Sequence, residues 1–353
     1  MKIKLALLEK DKNYLNRIVA AFSMKYADKL EIYSFTNIEV ALSSLNNIRV
    51  DVFIASTVFD IDIDILPSKC GFAYFVDSID VDTYNGQRVI CKFQKVDLIY
   101  KQILSLYSEV AGNVSGLKFG DDSCKIIVFT SPSGGTGNSS VAAACSLHYA
   151  TQGKKTLYLN LERFGSSDTF FFAEGQFDMS DIIFAVKSKK TNLSIKLASC
   201  VKQDSRGVYF YSQSKIALDM LELSADDIIC LISELKHSGL YSYIILDMDF
   251  KIDKEFLKIL HKTHAVVWLG DGSETSNNKI IRTYEALATV EQNEDSPLIN
   301  RLYLMYNKFS SKTGKVLSDI GINIIGGIPR YEHATTNQVL EQLSQMPIFD
   351  KLN

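Results

Sequence analysis

The chain has 353 residues, enough for two or three domains at about 150 residues each. Lys and Arg number 38 against 41 Asp and Glu, a formal charge of −3, with 46% hydrophobic and 22% charged residues. This composition excludes a disordered or collagen-like chain, and so weak a net charge gives no field that would hold the whole molecule on nucleic acid or an acidic membrane.

The six cysteines lie at least 21 residues apart, with no CxxC or CxxH spacing. No zinc or iron–sulfur site is expected, and the plain reading is buried thiols in a reducing compartment. The N-terminal apolar run of four is too short for a signal peptide, and no stretch approaches the roughly 18 apolar residues of a membrane span. These features predict a cytoplasmic protein.

Residues 1–111 alternate strand-like and helix-like pieces. IKLALL (3–8), LEIYSF (30–35), VDVFIAS (50–56), GFAYFV (71–76) and RVICKF (88–93) read as strands, with helices expected from Asp11 to about Tyr26, at 37–45 and at 96–110. Such alternation implies a parallel sheet covered on both faces. Residues 112–122, rich in Gly, Ser, Asn and Asp, read as a linker. A second α/β series fills 123–353. Its strands are expected at 124–130, 155–161, 208–212, 243–248, 265–270, 302–307 and 322–328, with a helix at 138–151. The fold class expected is therefore α/β, with two doubly wound parallel-sheet domains.

The stretch TSPSGGTGNSS (130–140) follows a strand and opens a helix. A loop so placed points backbone N–H groups inward, and the helix behind it adds about half a positive charge. Gly134, Gly135 and Gly137 let phosphate approach the backbone, and Ser139 is placed to ligate Mg²⁺. The Walker pattern G-x-x-x-x-G-K-[ST] is not met, because position 138 is Asn. Alone, the stretch reads equally as a Gly-rich turn capping a helix. YSYIILDMD (241–249) adds an apolar strand ending in Asp247, a position suited to holding a metal-bound water.

On these residues the second domain resembles the deviant Walker ATPases of the MinD/ParA family, whose loop reads K-G-G-x-G-K-[ST]; here it reads Ser133-Gly134-Gly135-Thr136-Gly137-Asn138-Ser139, followed by Ser140. GKKTLYLNLE (153–162) resembles the family's next strand, with Asn160 and Glu162 at its two Asp positions, and Asp247 matches the Walker B Asp. NRLYLMYNK (300–308) and GGIPRYE (326–332) resemble the strand and loop around the adenine, implying Asn307, Pro329 and Arg330. The resemblance implies ATP and Mg²⁺ as cofactors, with residues 133–140, Asn307, Pro329 and Arg330 on the nucleotide, Ser139 and Asp247 on the metal, and Glu162 in a catalytic position. The plain alternatives are a strand-end turn residue for Asp247, a turn cap for Asn307 and a solvated charge for Glu162. Both family lysines are missing, so binding with slow or no hydrolysis is expected, since charge stabilisation dominates phosphoryl transfer.

The first domain resembles a response-regulator receiver, with Glu9 and Asp11 after the first strand and Lys92 after the fifth. Ser56 stands at the acceptor position, so an atypical receiver used for docking or dimerisation is expected. The pairing of the two domains resembles the TadZ/CpaE family. That resemblance implies a protein that places Tad (Flp-type) pilus secretion machinery at the cell pole, with membrane association through partners, and the resemblance to the deviant Walker ATPases implies a homodimer. The alternative is an active partition or positioning ATPase. Nucleic acid is not an expected partner: Lys308, Lys312, Lys315 and Arg330 are sparse, and the helix at 335–346 has no basic residue.

Overall fold

The computed structural model describes residues 2–111, 124–189, 192–292, 297–318 and 320–353, so the expected linker at 112–122 lies outside the described residues. The fold is of the expected α/β class, with two mostly parallel sheets and helices on both sides. The chain divides into two units, Met1–Ser115 with Ser188–Cys200, and Gly116–Lys187 with Val201–Asn353.

The first unit runs β1 (Ile3–Leu8), α1 (Lys12–Lys25), β2 (Leu30–Phe35), α2 (Ile38–Ile48), β3 (Val52–Ser56), β4 (Gly71–Val76), β5 (Thr83–Tyr84), β6 (Gln87–Cys91) and α3 (Val96–Val110). The sheet order is β2-β1-β3-β4-β6-β5. Strand β3 is buried along its whole length, as an apolar strand covered on both faces should be. One core joins Leu5, Ile54 and Phe75 to α1 and α3, and the other joins Ala6, Phe53 and Tyr74 to α2.

The three helices expected in this unit are present as α1, α2 and α3, and the strict alternation of strand and helix breaks after β3. Among the described residues no α-helix joins β3 to β4. That segment carries a single 3₁₀ turn, Ile63–Ile65, capped by Asp62. Its alternating Asp and apolar residues have no helical period, and Pro67 follows. Between β4 and β6 the chain forms a hairpin: Tyr84 pairs with Gln87 across Asn85 and Gly86, which have φ of 49° and 72°. Two successive left-handed residues make the hairpin turn that Asn-Gly favours.

The segment Ser188–Cys200, read from sequence as part of the second domain, packs with the first unit. Its helix, which follows α4 (Asn138–Thr151) and α5 (Met179–Ser188) as α6 (Leu193–Cys200), inserts Ile195 into the core with α3. The Lys196 ammonium donates to Ser105 Oγ at 2.9 Å.

In the second unit β7 (Lys125–Thr130) leads through α4 to β8 (Thr156–Asn160). After α5 and α6 come β9 (Lys202–Gln203), β10 (Tyr209–Phe210), α7 (Ala225–His237), β11 (Tyr243–Asp247), α8 (Lys254–Leu260), β12 (Ala265–Gly270), α9 (Glu274–Val290), β13 (Leu302–Phe309), β14 (Asn323–Pro329) and α10 (Thr336–Ser344). The sheet order is β14-β13-β12-β7-β11-β8-β10-β9. Helix α4 is buried on every side from Val141 to Tyr149, so it has no polar face. Helix α10 contributes Leu340 and Leu343 to the same core, and the His148 ring bonds the Ser344 carbonyl at 2.8 Å. Asp247 lies in register with both Phe129 and Asn160, so the carboxyl ends of β7, β8 and β11 open at one edge. In open α/β sheets this edge is where ligands bind.

Candidate nucleotide site

The loop after β7 turns twice through the left-handed region, at Gly135 (φ 77°) and Gly137 (φ 82°). Gly137 is the N-cap of α4 and brings no side chain to cap it, so the first-turn N–H groups are left for an outside acceptor. A Cβ at Gly134 or Gly135 would meet nothing within 4 Å, so the backbone there faces open space. Ser131 ties the loop to β12: its Oγ lies 2.6 Å from the Leu269 carbonyl and accepts from the Ser133 N–H at 3.1 Å. Ser133 and Thr136 are buried, while Gly137, Asn138, Ser139 and Ser140 are partly exposed.

Strand alternation puts Tyr158, Asn160 and Glu162 on one side of β8 and its two-residue continuation. Asp247 is 0% exposed and holds three donors: Asn138 Nδ2 at 2.7 Å, the Tyr158 hydroxyl at 2.7 Å and Asn160 Nδ2 at 3.1 Å. None of the three is charged. Burial, with the Glu162 carboxylate nearby, therefore pushes Asp247 up to about 7. Ser139 Oγ donates to Glu162 Oε2 at 3.0 Å, and burial raises Glu162 as well. Ser139, Glu162 and Asp247 make a set of hard oxygen donors of the kind Mg²⁺ takes, next to an open backbone cradle. Asn138 Oδ1 is buried without a partner. These residues fit a phosphate·Mg²⁺ group.

Asn307 reaches the loop by donating from Nδ2 to the Thr136 carbonyl at 2.7 Å. Pro329 and Arg330 are exposed at the end of β14, and among the described residues no hydrogen bond ties either side chain to the loop. Hydrogen bonds thus tie the loop to Glu162, Asp247 and Asn307, while Pro329 pairs with Phe309 at the end of β14 and Arg330 follows it. The Tyr158 hydroxyl on Asp247 was missed from sequence. A Tyr two residues before Asn160 in an apolar strand is the signal that could have shown it. Lys308, which donates to the Gly135 carbonyl at 2.8 Å, was also missed as a loop partner.

In the first unit Lys92 bonds Glu9 at 2.9 Å and Asp77 at 3.1 Å. Burial alone would lower its pKa, but these two carboxylates outweigh it and raise it. Asp11 instead caps α1, accepting from the Asn13 and Tyr14 N–H groups. Ser56 is fully buried at the end of β3 and its Oγ has no partner. Incubation with acetyl phosphate is expected to leave residues 50–64 unmodified by mass spectrometry, because the acceptor position is Ser56, which has no carboxylate to form an acyl phosphate. A phosphoryl group found there would overturn this.

Residues 1–108 match the family model described as "TadZ-like, receiver domain". Among solved structures, the ParA family ATPase from Chlorobium tepidum TLS matches with 20% identity and a TM-score of 0.51, over 66% of this chain and 97% of that one. The MinC:MinD cell division complex from Aquifex aeolicus matches with 18% identity and a TM-score of 0.46, over 64% and 93%. The MinD protein complexed with Mg-ADP from Pyrococcus horikoshii OT3 matches with 14% identity and a TM-score of 0.48, over 63% and 94%. No curated protein sequence matches. The chain joins a receiver domain to a P-loop domain of the ParA fold. The receiver domain is TadZ-like. Among the described residues no helix is long and apolar enough to cross a membrane.

Proposed function

We propose that the second unit binds ATP with Mg²⁺ at the 133–140 loop and that the protein is a slowly or non-hydrolysing localisation scaffold. The supporting observation is an open Gly134–Gly135 cradle beside Ser139, Glu162 and Asp247, with Ser and Asn where the family has lysines. Backbone N–H groups, with Asn138, Ser139 and Ser140, would hold the phosphates, and Asn307, Pro329 and Arg330 the base. Ser139 and, partly through water, Asp247 would hold Mg²⁺, which when bound neutralises phosphate charge. Glu162 stands where a water-positioning carboxylate would act. Uncharged Ser133 and Asn138 leave growing transition-state charge weakly compensated, so turnover is slow.

A ligand that favours the dimer shifts association by its differential affinity, and slow turnover lets that state persist. The proposed role is a homodimer that places Tad (Flp-type) pilus machinery at the cell pole. The proposed domains are 1–111 and 123–353, with Ser188–Cys200 docked on the first. The test combines calorimetry with ATP·Mg²⁺, steady-state turnover, and mass by light scattering with and without nucleotide. The expected result is ATP binding, a rate far below a competent MinD-like enzyme, and a dimer. A competent rate abolished by Asp247→Ala would favour an active partition or positioning ATPase instead.

A further inference from the structure

We infer that Lys308 is the cation that stands in for the missing loop lysines, as a positioning residue acting on the phosphate loop from its outer side. This rests on the nucleotide-binding reading and adds a residue that reading lacks. Lys308 is exposed and sits on β13 with φ of 55°, a left-handed conformation that side chains with a Cβ rarely adopt. The pairing of β13 with β14 shifts register between Tyr306 and Phe309. Irregularities of this kind re-aim side chains beside functional sites, and an observed backbone outlier is a proper starting point for a functional hypothesis. Its result here is that two successive side chains both turn onto the loop. Asn307 donates to the Thr136 carbonyl at 2.7 Å, and the Lys308 ammonium donates to the Gly135 carbonyl at 2.8 Å.

The peptide geometry gives that contact its consequence. A trans peptide is planar, with its C=O and N–H pointing opposite ways. Holding the Gly135 and Thr136 carbonyls outward therefore turns the N–H groups of Thr136 and Gly137 the other way. An ammonium on the Gly135 carbonyl also polarises that peptide and places a full positive charge one peptide width from the Thr136 N–H. Ser133 and Asn138, at the family's lysine positions, bring no charge. Lys308 reaches the loop from a neighbouring strand and supplies one.

The test is calorimetry with ATP·Mg²⁺ and with AMP, at low and high salt, on the wild type, Lys308→Arg, Lys308→Gln and Lys308→Gly. The Gln variant is expected to lose about tenfold in ATP affinity, with a smaller loss for AMP and a weaker salt dependence. The Arg variant should stay within about twofold of wild type. The Gly variant relieves the positive φ, so its Tm should equal or exceed that of wild type while its ATP affinity falls. A structural role alone would move stability and affinity together. Lys308→Gln binding ATP as wild type does, equal losses for ATP and AMP, or an Arg variant as weak as Gln would each overturn this assignment. A wild type that binds no nucleotide would overturn the nucleotide-binding reading itself.

Discussion

Gly137→Val is expected to weaken ATP binding on the order of 100-fold, the scale of losing two charge-assisted hydrogen bonds. Gly137 has φ of 82°, where a β-branched residue is strained, and it is the N-cap from which α4 starts. From sequence, a side chain there reads as an intrusion into the phosphate path. The structure places the first clash on the other side: a Cβ would lie 2.6 Å from Asn307 Nδ2. The valine would displace Asn307 from the Thr136 carbonyl and rotate the peptides whose N–H groups face the cradle. Calorimetry measures the affinity, and circular dichroism checks that α4 and the sheet persist. An unchanged affinity in a folded Gly137→Val protein would mean that nucleotide binds elsewhere.

The second large effect is on stability against pH. Asp247 is fully buried on three neutral donors, and burial raises it from an ordinary value of 3.8 to about 7. Below the ordinary value both the folded and the unfolded chain hold the proton. Between that value and about pH 7 the folded protein keeps a proton that the unfolded chain has released. Stability should therefore fall as pH rises through this window and level off above it, by on the order of a few kcal/mol. Glu162, also raised by burial, adds a change of the same sign. The carboxylates held low, such as Asp204 beside Arg206, act below this window.

Urea midpoints of the nucleotide-free protein at pH 5 and pH 8 measure the slope, with Asp247→Asn as the reference that cannot titrate there. The wild type should lose more stability than Asp247→Asn on going to pH 8. Parallel profiles would show that Asp247 is ionised throughout. Asp247→Ala should cost about 3 kcal/mol or more at pH 5, because the buried Tyr158 hydroxyl would lose its acceptor and Asn138 and Asn160 would each lose one of theirs.

Much of the architecture was legible in the chain because local patterns and burial agree. Apolar runs such as IKLALL and AVVWLG became the strands Ile3–Leu8 and Ala265–Gly270, and the helix at 138–151 was read to the residue. The loop was legible because closely spaced glycines between a strand and a helix have few other uses. The short strand Thr83–Tyr84 and its hairpin were missed, although the Asn85-Gly86 pair signals the turn locally.

By itself the sequence determined the two α/β series, the position of the phosphate loop and the absence of both lysines from it. These follow from residue type and short-range spacing, which no partner can change. Only the tertiary structure decided which groups meet. Asp247 finds Asn138 and Tyr158 because β7, β8 and β11 are neighbours in register, and strands far apart in sequence become adjacent only when the sheet forms. Residues 188–200 joined the first unit because Ile195 is buried there beside α3, a long-range contact with no local signature. Lys308 came onto the loop through an irregular pairing at the sheet edge. A charge in a sequence carries no direction; the backbone around it sets where it points.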